Sequence, residues 1–405
     1  MNRKSLDRKI FSIAVFRNVT QDKTINDLWK LIGSDHDNDT DIVNDYAWFI
    51  SRLYNENINL SEYILKKVLE DENFYIEGKA AGKEFDPLIE ETVENELKIF
   101  QKLSRITPED IADEIDYDGF LPKWKTSKID FVKEYKSRID NIERYGYGKF
   151  AQNRMFILRK GEITPVKHPD PQRLSDLYGY EMERQTVINN TLALLKGKPA
   201  QNVLLYGDAG TGKSSTVKAV VNEFADKGLR LIEITKEQLR DIPDIIESIS
   251  SNPLKFIIFI DDLSFVAGED CFGALKATLE GSVSARTGNT AIYATSNRRH
   301  LVKESFSDRN GDDDVHRNDT LQETLSLSAR FGLRVNFSRP DKKAYVTIAT
   351  ELARSKGITL SDDELALKAE QFAISSGNGR SARTAKQFVA GLSQLDSSFE
   401  EQQTA

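Results

Sequence analysis

Gly207-Asp208-Ala209-Gly210-Thr211-Gly212-Lys213-Ser214 follows the apolar run Val203-Leu204-Leu205-Tyr206 and precedes Val217, Val220, Val221 and Phe224, which recur at helical spacing. The octet fits G-x-x-x-x-G-K-[ST], and its setting between a buried strand and a helix start gives the pattern physical meaning. Consecutive backbone N–H groups at a helix N-terminus converge on one point, where the helix dipole also favours negative charge. The glycines let the chain wrap closely around an anion, and Lys213 can reach the outer phosphates of a nucleotide. The Ser214 hydroxyl can ligate Mg²⁺, and Ser215 closes the expected binding segment.

Working outward, strands are expected at 202–206, 230–234, 256–260, 290–295 and 333–337, several of them continuous apolar runs. Such runs are buried on both faces by crossover helices, so the fold class is α/β with a five-stranded parallel sheet. Phe256-Ile257-Ile258-Phe259-Ile260 ends in Asp261-Asp262, which places two carboxylates at a strand's C-terminal end, where open α/β sheets bind ligands. Asp261 is expected to hold Mg²⁺ and Asp262 to orient or deprotonate an attacking water. Asn297 closes Ala291-Ile292-Tyr293-Ala294-Thr295-Ser296-Asn297 and can reach that water or a γ-phosphate. Arg330, in Leu327-Ser328-Ala329-Arg330-Phe331-Gly332, can lend positive charge to a neighbouring site, with Arg334 as its competitor. Arg380, in Gly377-Asn378-Gly379-Arg380-Ser381-Ala382-Arg383, is expected to meet the γ-phosphate, with Arg383 as the alternative.

The chain has 405 residues, enough for two or three domains. A net charge of −8 argues against a generic polyanion-binding surface. The single cysteine, Cys271, excludes an intramolecular disulfide and a cysteine-rich zinc site, and fits a cytoplasmic protein. Near the N-terminus, Ile10 to Phe16 is too short for a signal peptide's apolar core with a cleavage site, and reads as a buried strand or helix. No run approaches the ~18 apolar residues of a membrane span. Residues 1–150 read as a mostly helical domain, a recognition module. One apolar face is Val43, Tyr46, Ala47, Ile50, Leu53 and Tyr54; another is Ile89, Val93, Leu97, Phe100 and Leu103. Thr107-Pro108 starts a further helix, and 33–41 reads as a loop. Residues 151–172 read as a linker with a short hairpin around Lys160-Gly161, ending in His168-Pro169-Asp170-Pro171. The α/β core is expected over 173–340, a helical lid over 341–395 and a flexible tail over 396–405. Asp308 to Asp319 fails the calcium-loop pattern, with Asp313 where glycine belongs, and reads as a solvated insertion. Arg298-Arg299-His300 is too short for a nucleic-acid stripe.

The order of phosphate loop, Asp-Asp strand, polar Asn297, Arg330-Phe331-Gly332 and lid arginine resembles that of AAA+ ATPases. By that resemblance Asn297 corresponds to sensor 1, Arg330 to the arginine finger and Arg380 to sensor 2. Leu177-Tyr178-Gly179-Tyr180-Glu181 is similar to the segment lining the adenine pocket, so Tyr178 and Gly179 join the expected site. Asp261-Asp262-Leu263-Ser264-Phe265, Ala294 to Leu301 and the His168 to Pro171 phrase resemble a bacterial AAA+ family of unknown function. The resemblance covers about 150–395 and implies ATP and Mg²⁺ as cofactors. It also implies a homo-oligomer, a ring of six; the partner, protein or nucleic acid, is left unidentified, and no membrane is expected. Most AAA+ members have Asp-Glu where this chain has Asp261-Asp262, which is one methylene shorter, so hydrolysis is expected to be slow. Two readings follow: an ATPase that remodels a partner, and a slow or non-hydrolysing ATP-gated switch or scaffold. A P-loop kinase is disfavoured by the sensor and finger elements. The stretch Thr235 to Asp244 contains no aromatic residue, which argues against protein threading.

Overall fold

A computed structural model describes residues 9–33, 39–112, 115, 117–263, 265–266, 270–280, 288–297, 302–303 and 328–403. The chain divides into two compact units: residues 1–152 with 251–253, and residues 153–250 with 254–405. The Asp308 to Asp319 stretch and Arg298-Arg299-His300 lie outside the described residues.

The first unit is helical: α1 (Lys23–Gly33), α2 (Asp39–Glu56), α3 (Leu60–Leu69), α4 (Phe74–Ala80), α5 (Pro87–Leu103), α6 (Pro108–Ala112), α7 (Phe131–Asp140), α8 (Ile142–Tyr145) and α9 (Gly148–Gln152). Asn59, Asn73 and Asp86 cap α3, α4 and α5 by accepting backbone N–H groups that a helix start leaves unpaired. The expected face of α5 is buried at Val93, Leu97, Phe100 and Leu103. On α2, Tyr46, Ile50 and Leu53 are buried as their spacing predicts, and Phe49 joins them; Ala47 and Tyr54 are exposed, and Tyr54 donates its hydroxyl to Lys123 O. Of the apolar run at Ile10 to Phe16, Ile10, Ile13, Val15 and Phe16 are buried while Phe11 is exposed, and the run forms a helix end and turns rather than a long helix or strand. Its backbone groups find their partner in Glu96, whose buried carboxylate accepts from Ala14 N at 2.7 Å, Val15 N at 3.0 Å and Phe16 N at 3.0 Å. A buried carboxylate is costly unless hydrogen-bonded, and here the costs of two buried polar groups offset each other.

The second unit is built on a seven-stranded sheet. Its strands are β1 (Met155–Arg159), β2 (Glu162–Pro165), β3 (Val203–Gly207), β4 (Leu229–Ile234), β5 (Lys255–Ile260), β7 (Thr290–Ser296) and β9 (Leu333–Phe337), while β6 (Phe265–Val266) and β8 (Val302–Lys303) pair separately. The order is β2-β1-β4-β5-β7-β3-β9, and the five strands expected from sequence are mutually parallel. The hairpin expected within a linker is instead drawn into the sheet: β1 runs parallel to β4, with Phe156 opposite Ile232, and β2 forms the edge. Met155 and Phe156 are buried, so apolar side chains on this hairpin gain cover by extending the sheet. Beyond it, the His168 to Pro171 phrase is anchored by Asn222, whose Nδ2 donates to Asp170 O and Gln172 O.

Helices α10 (Glu181–Leu195), α11 (Lys213–Phe224), α12 (Ile242–Ile249) and α13 (Asp270–Glu280) accompany the sheet. Phe256 to Ile260 of β5 are fully buried, as befits a central parallel strand. After β3 the chain crosses over β7 and β5 to reach β4, so the C-terminal ends of β3, β7 and β5 open a crevice where the strand order switches. Three further helices, α14 (Lys342–Ser355), α15 (Asp362–Ser375) and α16 (Ala382–Gln403), pack around their own core of Tyr345, Ile348, Leu365, Ala369 and Phe388. Helix α16 continues through most of the stretch expected to be a flexible tail. Among the described residues, no helix is long and apolar enough to cross a membrane.

Candidate active site

The phosphate loop joins β3 to α11, and its geometry demands glycine. Gly207, Gly210 and Gly212 have φ of 133°, 78° and 96°, where other residues are strained. A Cβ on Gly207 would lie 2.2 Å from Phe337 O, so the loop's entry is fixed by close approach to β9. Asp208 accepts from Arg339 N at 2.9 Å, and Thr211 donates its hydroxyl to Asp208 O, also at 2.9 Å.

Lys213 is buried at the first position of α11. Its Nζ donates to Gly207 O at 3.0 Å, Asp208 O at 2.7 Å and Asn297 Oδ1 at 3.0 Å. Burial pushes its ammonium below the usual lysine range, against the opposing pull of Asp208, Asp262 and Asp261. Ser214 Oγ donates to Asp261 Oδ1 at 2.6 Å, which brings together the hydroxyl and the carboxylate expected to share a metal. Asp262 follows in the left-handed region, φ 54°, and accepts from Asn297 Nδ2 at 2.7 Å. Lys213, Asn297 and Asp262 therefore form one hydrogen-bonded chain from the loop to the second acid.

Around this chain lies a cavity of about 380 Å³, within the usual range for small-molecule sites. Ala209 to Ser215 line it along one side, with Asp261, Asp262, Thr295 and Asn297 at its base. Tyr178 and Tyr180 form another wall with Ile348 and Leu352 of α14. Gly179 is not itself on the wall; its φ of 74° turns the chain, and a Cβ there would lie 2.7 Å from Ile348 Cδ1. Gly207 and Asp208 shape the loop from behind and also stay off the wall. Tyr180 donates its hydroxyl to Ser338 O at 2.8 Å and packs on Phe337.

The two lid arginines separate. Arg380 is engaged by Glu370 through Nε at 2.9 Å and NH2 at 2.8 Å and does not line the cavity. Arg383 does line it, and its backbone N donates to Gly210 O at 3.0 Å. Lys386, one turn further along α16, lines it as well. Arg330 is half-buried in a short helical segment and is not on the cavity wall.

Sequence reasoning missed Lys386, Arg184, Ile348, Leu352 and Thr295. The first four depend on how α10, α14 and α16 pack, which no local pattern encodes. Thr295 was findable: in a strand, residues two apart share a face, and Thr295 stands two before Asn297. As for the groups expected here, the residues fit a magnesium nucleotide. The loop has space where side chains would intrude, one buried ammonium, and a hydroxyl and a carboxylate oxygen 2.6 Å apart at its floor.

The chain belongs to the family described as "Protein of unknown function (DUF815)", which matches residues 150–395. Its curated relatives are AAA+ ATPases. It is 32% identical over 117 residues to the replication factor C large subunit of Staphylothermus marinus, a match covering 27% of each chain. It is 28% identical over 225 residues to the Holliday junction branch migration complex subunit RuvB of Salinibacter ruber, covering 52% of this chain and 63% of that one. Among solved structures, the RuvB branch migration motor of Thermotoga maritima matches at 15% identity and a TM-score of 0.39, over 57% of this chain and 67% of that one. The chain thus spans between about a quarter and less than two thirds of the length of these curated relatives.

Proposed function

We propose that this chain binds Mg·ATP in the cavity at the phosphate loop and hydrolyses it, coupling hydrolysis to remodelling of a protein or nucleic-acid partner. The observation that carries the reading is the chain of hydrogen bonds joining Lys213, Asn297 and Asp262, beside the Ser214–Asp261 pair. In this reading Lys213 offsets phosphate charge and Asn297 orients the attacking water. Asp262 accepts the water's proton. Ser214 and Asp261 would hold Mg²⁺, which when bound supplies positive charge to the phosphate oxygens. Tyr178, with Ile348 and Leu352, offers an apolar slot for the adenine.

Arg383 is the lid cation proposed to meet the phosphates, in place of Arg380, because it lines the cavity while Arg380 is held by Glu370. Arg330 is proposed to act on a neighbouring copy in a cytoplasmic homo-oligomer. A hexamer is the proposed form. One curated relative is described as a ring-forming AAA ATPase, which supports an assembly of this kind. The shorter second acid supports slow turnover.

The test measures fluorescent-ATP binding and phosphate release for the full chain, Lys213→Ala and Asp262→Asn. The reading expects Lys213→Ala to lose binding, and Asp262→Asn to bind without release. Tight binding with no release by the unmodified chain would favour an ATP-gated switch instead. Mixing Arg330→Ala with Lys213→Ala should restore activity that neither has alone; no recovery rejects action between copies.

A further inference from the structure

We propose that Thr295 is a positioning residue that fixes both acids of the Asp261-Asp262 pair and holds the shorter second acid where it can work. The inference rests on the hydrolysis reading above. A hydroxyl has one proton and two lone pairs, and Thr295 uses them on different neighbours. Its Oγ1 donates to Asp261 Oδ1 at 2.6 Å and accepts from Asp262 N at 2.9 Å. The direction is settled by chemistry, since an ionised carboxylate only accepts and a backbone N–H only donates. The Thr295 carbonyl then accepts from Leu263 N at 2.7 Å. Three consecutive residues of the acidic turn are thus tied to this one threonine.

Thr295 is itself well held. It is buried and stands opposite Leu205 in the β3–β7 ladder, two residues before Gly207. It therefore fastens the acidic turn to the strand that carries the phosphate loop. The fastening matters because Asp262 leaves β5 in the left-handed region, φ 54°, with a side chain too short to reach far by rotation alone. The position of its carboxylate is set mainly by that backbone turn, which the Asp262 N–H holds through a shared bond to Thr295 Oγ1 at 2.9 Å and Asp261 Oδ1 at 3.1 Å, and by Asn297 on the carboxylate itself. Threonine suits the task because a β-branched side chain has few rotamers in a strand.

The experiment compares the full chain with Thr295→Val, which keeps the shape and loses the hydroxyl, and Thr295→Ser, which keeps the hydroxyl. Thr295→Ala replaces the valine variant should the latter fail to fold by thermal unfolding. Fluorescent-ATP affinity, single-turnover phosphate release and Mn²⁺ affinity of the ATP complex are read for each. The expected result is that Thr295→Val binds ATP within about threefold of normal, releases phosphate about 100-fold more slowly, and holds Mn²⁺ about 10-fold more weakly, as loss of a group orienting a metal ligand does. Thr295→Ser should restore most of both losses. Normal release and normal Mn²⁺ affinity in Thr295→Val overturn the proposal. Should the unmodified chain release no phosphate, the hydrolysis reading fails on its own. The Mn²⁺ measurement then decides: an affinity unchanged by loss of the hydroxyl rejects the positioning role, and a loss rescued by serine upholds it.

Discussion

Lys213 donates to Asn297 Oδ1 across 3.0 Å, joining the first residue of α11 to the end of β7. The amide's orientation follows from its neighbours: its oxygen faces an ammonium and its nitrogen faces the Asp262 carboxylate, and the reverse would oppose like partners. Asn297→Ala should therefore keep ATP binding within about threefold while slowing phosphate release about 100-fold, since a misplaced general base typically costs that much. Parallel binding and single-turnover assays check this. A loss confined to binding would assign Asn297 to ground-state contacts.

The buried Lys213 ammonium has a consequence for stability. Its folded-state value lies below its unfolded one because burial disfavours the charge. The unfolded chain therefore binds the proton more tightly. The resulting penalty is complete below the folded value and gone above the unfolded value of about 10.4. Lys213→Met should remove this pH dependence, so that the nucleotide-free Tm of the variant relative to the unmodified chain stands highest near neutral pH and falls as pH approaches about 10. The same variant should show no ATP-dependent rise in Tm. Thermal scans across pH measure both, and a Tm difference that moves in favour of the variant as pH rises would contradict the sign.

Glycine substitutions in the loop should separate by their surroundings. Gly207→Ala meets Phe337 O at 2.2 Å with φ at 133°, so backbone must move. Gly212→Ala meets no heavy atom within 4 Å and suffers only from its φ of 96°. The Gly212 change should cost about 1–3 kcal/mol in urea unfolding, and the Gly207 change more than that. Equal costs would mean that β9 yields freely.

Arg380 and Arg383 should behave differently despite lying within one turn. Arg383→Ala should weaken ATP binding or slow hydrolysis about 10-fold, as loss of a charged ligand contact does. Arg380→Ala should leave ATP affinity unchanged and instead loosen the α15–α16 corner. Its partner Glu370 is held below the usual carboxylate range by the Arg380 hydrogen bonds. That contribution is present above the unfolded glutamate value and fades as pH falls through the folded one. Nucleotide titrations of both variants check the first distinction, and acid unfolding of Arg380→Ala the second.

The sheet and the floor of the site were legible because each is written locally. Continuous apolar runs such as Phe256 to Ile260 have one comfortable location, the middle of a parallel sheet, and the acids that end them land at its C-terminal edge. The hairpin at Met155–Pro165 was legible as a hairpin but not as a sheet edge, because register between β1 and β4 is set across distant sequence. The choice between Arg380 and Arg383 was illegible for a related reason. Both fit the pattern, and only the tertiary placement of Glu370 decides which one stays on the outside.

Gly210 meets the start of α16 in two ways: its carbonyl accepts from Arg383 N at 3.0 Å, and a Cβ on it would lie 3.1 Å from the Arg383 Cβ. The loop proposed to cradle phosphate and the start of α16 thus pack closely against each other. Two sites that share a surface are coupled in both directions, and by equal amounts. In the proposed reading, a partner that changes ATP affinity by pinning α16 has its own grip changed by ATP by the same factor. On that reading the nucleotide need not be consumed for a message to pass, because filling the loop would itself bear on α16.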